Sequence, residues 1–215
     1  MSHPTEDLRV VVLISGTGSN CQAIIEQSIK PESAYQVVAV LSDRQEAAGL
    51  IVAASKGVPS ESLQATDYSS REQFDAELLK AIKKYHPDLV VLAGFMRILT
   101  PKFVQHFTGR LMNIHPSLLP KYPGLNTHQR ALEAGDTIHG ASVHFVNEEL
   151  DGGPVIAQAR VPINPGDTVA ALAARVLTQE HRLYPQIIEL FAQKRLKQVD
   201  NQVSLDDTLI SPLQL

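Results

Sequence analysis

The chain has 215 residues, 44% hydrophobic and 20% charged, with a net charge of −4 and a single cysteine. That length fits one large domain or two small ones, and roughly 70% of the unfolded surface can be buried without a covalent staple. The acidic balance counts against a nucleic-acid surface, which needs clustered Lys and Arg, and one cysteine excludes an internal disulfide and a CxxC site.

The opening MSHPTEDLR is polar and mildly acidic, and the apolar run from Val10 to Ile14 is too short for a signal peptide or a membrane span. No membrane partner and a cytoplasmic location are therefore expected. Residues 9–15 (RVVVLIS) form a β-branched strand that ends in Gly16-Thr17-Gly18-Ser19-Asn20, after which Ile24, Ile25 and Ile29 follow a helical spacing. A second buried strand spans 36–42, a short Ala-rich helix 46–55 and a brief strand 58–63. A helix over 68–85 carries Phe74, Leu78, Leu79 and Ile82 on one stripe. Residues 88–93 read as a fourth strand, 101–107 as a helix, and a strand ends at Asn113. A helix over 125–134 is ended by Gly135. Residues 138–146 alternate as a strand, with an antiparallel partner after Gly152-Gly153-Pro154, and a long helix runs from Thr168 to about Lys194. The basic run Lys194-Arg195-Leu196-Lys197 reads as a solvated helix end, and 199–215 as a loosely specified tail.

Short apolar strands alternating with helices point to an α/β fold: a Rossmann-like, mostly parallel sheet with helices on both faces. An antiparallel strand pair is expected in the C-terminal half, within a single domain over 1–215. In such a sheet, ligands bind beyond the carboxyl ends of the strands where strand order reverses, and the first and fourth strands are the expected flanks.

Four segments there carry side chains suited to chemistry. Gly16–Asn20 joins a strand to a helix start, where free N–H groups favour an anion. It reads as a cradle for a substrate phosphate, a dinucleotide turn in which Cys21 replaces the third glycine, or a structural turn. Asp43 sits where a ribose-binding acid could lie, and Cys21 itself reads as a small buried residue. Gly94-Phe95-Met96-Arg97-Ile98-Leu99 reads either as the wall of a pocket for a flat heterocycle or as core capping the sheet. Asn113 and His115, two residues apart before Pro116, Pro120, Pro123 and Gly124, share a direction and a stiffened surround. They supply an oxyanion donor and a group that titrates near neutrality. Asp151, beside Gly152 and Gly153, is either turn chemistry or a carboxylate that orients His115. With scattered histidines and no HExxH, no metal is expected, and no GxSxG elbow is present.

The segment from Asn113 to Gly124 (NIHPSLLPKYPG) resembles the signature of the folate-dependent formyltransferases, and Leu150 to Ile156 (LDGGPVI) resembles their second block. Ile14–Asn20, Ala93–Leu99, His139–Phe145 and Thr178–His181 extend the likeness over nearly the whole chain, to the branch that formylates glycinamide ribonucleotide. The resemblance implies transfer of a formyl group from the co-substrate 10-formyltetrahydrofolate to the amine of N1-(5-phospho-D-ribosyl)glycinamide, in de novo purine (IMP) synthesis. It implies that Gly18, Ser19 and Asn20 hold the phosphate, with Glu180 near the ribose and Pro116 also against the substrate. Arg71, Met96, Arg97, Ile98, Leu99, Asn113, Asn147, Glu148, Glu149, Leu150 and Asp151 would line the folate site. Asn113, His115 and Asp151 would be the catalytic set. Thr17 stands where many members carry Asn, and Leu177 where a relative carries Gln. Relatives that formylate tRNA usually add a basic C-terminal domain, and those that hydrolyse formyl folate add an N-terminal one. A small-molecule enzyme, monomeric or weakly homodimeric, is the expectation.

Overall fold

The structure, a computed structural model, describes residues 7–215; the polar opening at 1–6 lies outside the described residues. Five parallel strands come first: β1 (Leu8–Ile14), β2 (Tyr35–Ser42), β3 (Ser60–Ser62), β4 (Leu89–Leu92) and β5 (Leu111–His115). They are joined by α1 (Ser19–Ser28), α2 (Ala48–Ser55), α3 (Arg71–Lys83) and α4 (Pro101–His106). After α5 (Thr127–Glu133), β6 (Ile138–Phe145) runs antiparallel to β5, and β7 (Val155–Pro162) antiparallel to β6. α6 (Val169–Ala192) then returns across the sheet, and β8 (Leu196–Val199), β9 (Gln202–Leu205), β10 (Thr208–Ile210) and β11 (Leu213–Gln214) finish the chain.

The main sheet has the order β11-β7-β6-β5-β4-β1-β2-β3. β1 lies between β2 and β4, so strand order reverses there, as the sequence leads one to expect. The continuous apolar run of β1 is explained by its two covered faces. Val10, Val12 and Ile14 join a core formed with α1 and α6, while Val11 and Leu13 join a second core with α3 and α4. Side-chain oxygens of Ser70, Thr100 and Thr168 cap the starts of α3, α4 and α6, with Pro101 in the first turn of α4. α6 continues through Pro185, although an interior proline costs about 3 kcal/mol. Leu183, Tyr184, Ile187 and Ile188 are all buried against the sheet, and that packing offsets the lost backbone bond.

Two sequence expectations need correction. α6 ends at Ala192, so the basic run is not a helix end: Leu196 and Lys197 belong to β8. Arg195 and Lys197 pair with Asp206 and Asp207 across the turn. The tail from Val199 is not loosely specified either. β8, β9 and β10 form an antiparallel sheet of their own, and β11 pairs in parallel with β7 at the edge of the main sheet. These strands span two to four residues, too short to show an alternation in sequence.

Candidate active site

The carboxyl ends of β1, β4 and β5 meet on one edge of the sheet. Beyond β1, Ser15 donates its N–H to the Gly94 carbonyl (3.1 Å) and accepts on its hydroxyl from the Met96 N–H (2.8 Å). The turn after β1 and the turn after β4 are thereby fixed to one another. Gly18 has φ +74°, a left-handed conformation that costs other residues free energy, and a Cβ there would lie 2.5 Å from the Gly49 Cα. Glycine at 18 is thus required twice, by backbone conformation and by the close approach of α2. No side chain caps α1, and the Gln22 N–H is the one that closes onto the Gly18 carbonyl. The N–H groups of Ser19, Asn20 and Cys21 are therefore free of the helix ladder and aimed out of its positive end. Asn20 is buried and donates to Glu180 Oε2 (2.6 Å), which ties this helix start to α6. Burial pushes the Glu180 carboxyl up, opposed by the Asn20 bond. Asn20 Oδ1 has no partner among the described residues. Cys21 is fully buried and its thiol is pushed up to about 12 by burial, which removes it as a nucleophile.

β5 delivers Asn113 and His115 to the same face. Antiparallel pairing with β6 sets His144 opposite Asn113 and Ser142 opposite His115. His144 Nδ1 lies 2.8 Å from the Phe145 carbonyl, which can only accept, so this nitrogen carries the proton. Its Nε2 is then the acceptor for Asn113 Nδ2 at 3.2 Å, which fixes the orientation of the amide and leaves its second N–H free. Burial holds His144 below the ordinary histidine range; the Phe145 carbonyl and Asp151 act against this, and His115 reinforces it.

Asp151 closes the group from the other side. Gly153 packs onto the Phe145 carbonyl so tightly that any Cβ would overlap it, and this brings the turn over β6. Asp151 is held at φ +51°, a region that Asp and Asn tolerate better than other side chains. Its Oδ2 accepts from the Gly124 N–H (2.8 Å) and lies 3.4 Å from His115 Nδ1; its Oδ1 lies 3.7 Å from His144 Nε2. His115 Nε2 is 2.8 Å from the Tyr122 carbonyl. An acceptor at each ring nitrogen is satisfied fully only by a ring protonated on both.

Beside these groups lies a cleft whose floor includes Asn113, His144 and Asp151. Its walls include Phe95, Arg97, Ile98, Leu99, Val146 and Asn147–Leu150. Of the apolar turn after β4, Leu99 and Phe95 are buried, while Met96 and Ile98 remain about 60% exposed, so core and pocket readings each hold for part of the segment. Ile98 lines the cleft and Met96 does not; Leu150, 58% exposed, stands at the opposite lip. The Arg97 guanidinium rests 4.8 Å over the Phe74 ring, and Glu148 accepts from Gln105 on α4. Asn147 accepts from the Glu149 N–H and shapes the turn. Arg71 is exposed in the first turn of α3 and is not brought to the cleft lining. The Pro116 carbonyl accepts from Thr127 Oγ1 (2.7 Å), tying the loop after β5 to α5.

His144, Tyr122 and Gly124 are the residues that sequence reasoning missed. Residues 138–146 read as a strand, and pairing that strand with β5 as well as β7 would have found His144 opposite Asn113. Among the described residues no group of three or more His, Cys, Asp or Glu side chains is arranged to hold a metal ion. Among them, too, no helix is long and apolar enough to cross a membrane.

Comparison with known proteins shows the family. The family described as formyl transferase matches residues 8–188. The chain is 54% identical over 205 residues to phosphoribosylglycinamide formyltransferase of Escherichia coli (strain K12), covering 95% of this chain and 97% of that one. It is 44% identical over 193 residues to the human trifunctional purine biosynthetic protein adenosine-3, covering 90% of this chain and 19% of that one. A solved phosphoribosylglycinamide formyltransferase from Coxiella burnetii superposes with a TM-score of 0.93 at 48% identity, covering 97% and 99% of the two chains. A glycinamide ribonucleotide transformylase from Symbiobacterium toebii gives 0.91 at 44% identity, with 94% and 95% covered. With a strand-end histidine facing a turn aspartate beside a cleft, and with these likenesses over its length, the chain belongs to the formyl transferase family.

Proposed function

We propose that this chain moves the formyl group of 10-formyltetrahydrofolate to the amino group of N1-(5-phospho-D-ribosyl)glycinamide in purine synthesis. It would do so as a single formyltransferase domain in the cytoplasm, monomeric or weakly paired. The observation that carries the reading is the grouping of Asn113, His144 and Asp151 on the floor of the cleft, with His115 against Asp151 behind it, on the sheet edge that also bears a bare helix N-terminus.

Each part has a role in the proposal. Ser19 and Asn20, with the turn at Gly18, receive the phosphate on backbone N–H groups, and Glu180 orients Asn20 and meets the ribose. Ile98, Leu99 and Leu150 take the flat face of the folate, and Arg97 and Asn147–Asp151 take its polar edges, consistent with a slot lined by both apolar and polar side chains. Arg71, from outside the slot, would meet the distal end of the folate. Asn113 offers its free Nδ2 N–H to the formyl oxygen as negative charge develops there, and a protonated His115, held between Asp151 and the Tyr122 carbonyl, adds positive charge nearby. Asp151 balances that imidazolium and accepts the proton shed by the attacking amine. A new C–N bond forms to the nucleotide amine, the C–N bond to the folate breaks, and the proton finishes on the departing folate nitrogen. No step in this scheme requires a metal.

The test is release of tetrahydrofolate by purified protein given 10-formyl folate with and without glycinamide ribonucleotide. Release that depends on the nucleotide is expected. Release without it would indicate a hydrolase, and no release at all a binding protein; either would overturn the proposal.

A further inference from the structure

Strand register places His115 opposite Ser142 on β6, and Ser142 opposite Gln158 on β7. Residues paired in this way project from the same face, so an imidazole, a hydroxyl and an amide form one line across three strands. All three are buried. Ile156, Ala157 and Ala159 on the same strand are buried apolar residues, so the amide sits where an apolar side chain would avoid a desolvation cost.

Both protons of the amide nitrogen are used. Gln158 Nε2 donates to the Leu119 carbonyl (2.8 Å) and to Ser142 Oγ (3.0 Å). Ser142 Oγ donates to the Ser117 carbonyl (2.7 Å) and accepts from the Leu119 N–H (3.0 Å), which exhausts a hydroxyl with one proton and two lone pairs. Both backbone groups of Leu119 and the carbonyl of Ser117 thus end on side chains of β6 and β7, not on regular structure. This segment leads directly to Tyr122, whose carbonyl meets His115 Nε2, and to Gly124, whose N–H meets Asp151. Gln158 itself does not line the cleft.

We propose that Gln158 is a positioning residue for formyl transfer. Through the Leu119 carbonyl and the Ser142 hydroxyl it sets the loop that fixes both His115 and Asp151. The inference rests on the catalytic reading of those two residues. Displacement of reacting groups by about 1 Å costs on the order of a hundredfold in rate, so a loosened loop is expected to act on turnover more than on binding.

Gln158→Met keeps the length of the side chain and removes both donors. Its kcat is expected to fall at least about tenfold, with KM for both substrates within about twofold. Amide exchange at Leu119 and Gly124 is expected to accelerate. In Gln158→Glu the carboxyl can donate to the Leu119 carbonyl only when protonated, so its kcat relative to wild type should rise as pH is lowered. Wild-type kcat in folded Gln158→Met overturns the inference, as does a parallel rise of both KM values with kcat unchanged. If Gln158→Met does not fold, Ser142→Ala decides by the same measurements, since it frees the Ser117 carbonyl and the Leu119 N–H. Exchange at Gly124 unaltered by Gln158→Met overturns the inference even if the wild-type protein transfers no formyl group, so the two failures are distinguishable.

Discussion

Asp151→Asn separates charge from shape at this site. The residue sits at φ +51°, which Asn adopts as readily as Asp, and the Asn side-chain oxygen can still accept from the Gly124 N–H at 2.8 Å. What is removed is the negative charge 3.4 Å from His115 Nδ1 and 3.7 Å from His144 Nε2. With an effective dielectric constant of about 20, opposite unit charges at the His115 distance attract by about 5 kcal/mol, an upper limit for what the pair can supply to the transition state. Each 1.36 kcal/mol is about tenfold in rate, so this limit corresponds to about 10³- to 10⁴-fold, and single proton-transfer groups contribute about 10²- to 10⁴-fold. We expect kcat of Asp151→Asn to fall at least about 10²-fold, with KM for the nucleotide within about threefold because the cradle at Gly18–Asn20 is untouched. The assay is steady-state release of tetrahydrofolate, with circular dichroism and thermal melting on the same preparation to establish the fold. Near-wild-type turnover in a folded variant would refute the reasoning.

Gly18→Ala sets a Cβ 2.5 Å from the Gly49 Cα and holds Ala at φ +74°, which by itself costs about 1–2 kcal/mol. It should lower the melting temperature and raise KM for the nucleotide at least about tenfold, while equilibrium binding of folate stays unchanged; an unchanged nucleotide KM would count against the cradle. Tyr184→Phe removes a fully buried hydroxyl that reaches the Met112 carbonyl at 3.0 Å and the Leu92 carbonyl at 3.2 Å, between β5 and β4. A loss of about 1 kcal/mol, seen as about 2–4 °C in melting temperature, is expected, and a stability equal to wild type would contradict it. His139 is lowered from 6.5 to about 4, chiefly by burial and then by His128. Below pH 6.5 the unfolded chain takes up a proton that the folded one refuses, so this contribution to stability is complete above pH 6.5 and lost as pH falls toward 4. His139→Gln should flatten the decline of melting temperature across that window; an identical slope in both proteins would exclude the residue as a cause.

Much of the frame was legible because local signals and fold agree. The β-branched run of β1, the glycine turn and the spacing of Ile24 and Ile25 each belong to one strand–turn–helix unit. The proline-rich loop after His115 likewise announced a fixed, irregular segment beside a titratable group. Legibility failed where pairing is non-local. His144 becomes part of the site only through the register of β6 on β5, and nothing within β6 states which strand lies on that side. The tail had a signal that went unread: Asp206 and Asp207, both at positive φ, form a two-residue hairpin turn between β9 and β10. Arg71 shows the converse. Resemblance assigned it to the folate site, yet its place on an exposed helix start leaves it outside the cleft lining.

The central claim, transfer of a formyl group between two small molecules by Asn113, His115 and Asp151, is met most directly by following the group itself. With 10-formyl folate labelled in the formyl carbon and glycinamide ribonucleotide in excess, the label should appear on the nucleotide amine, one equivalent for each tetrahydrofolate released, with no free formate. Label recovered as formate, or left on the folate, would contradict the account.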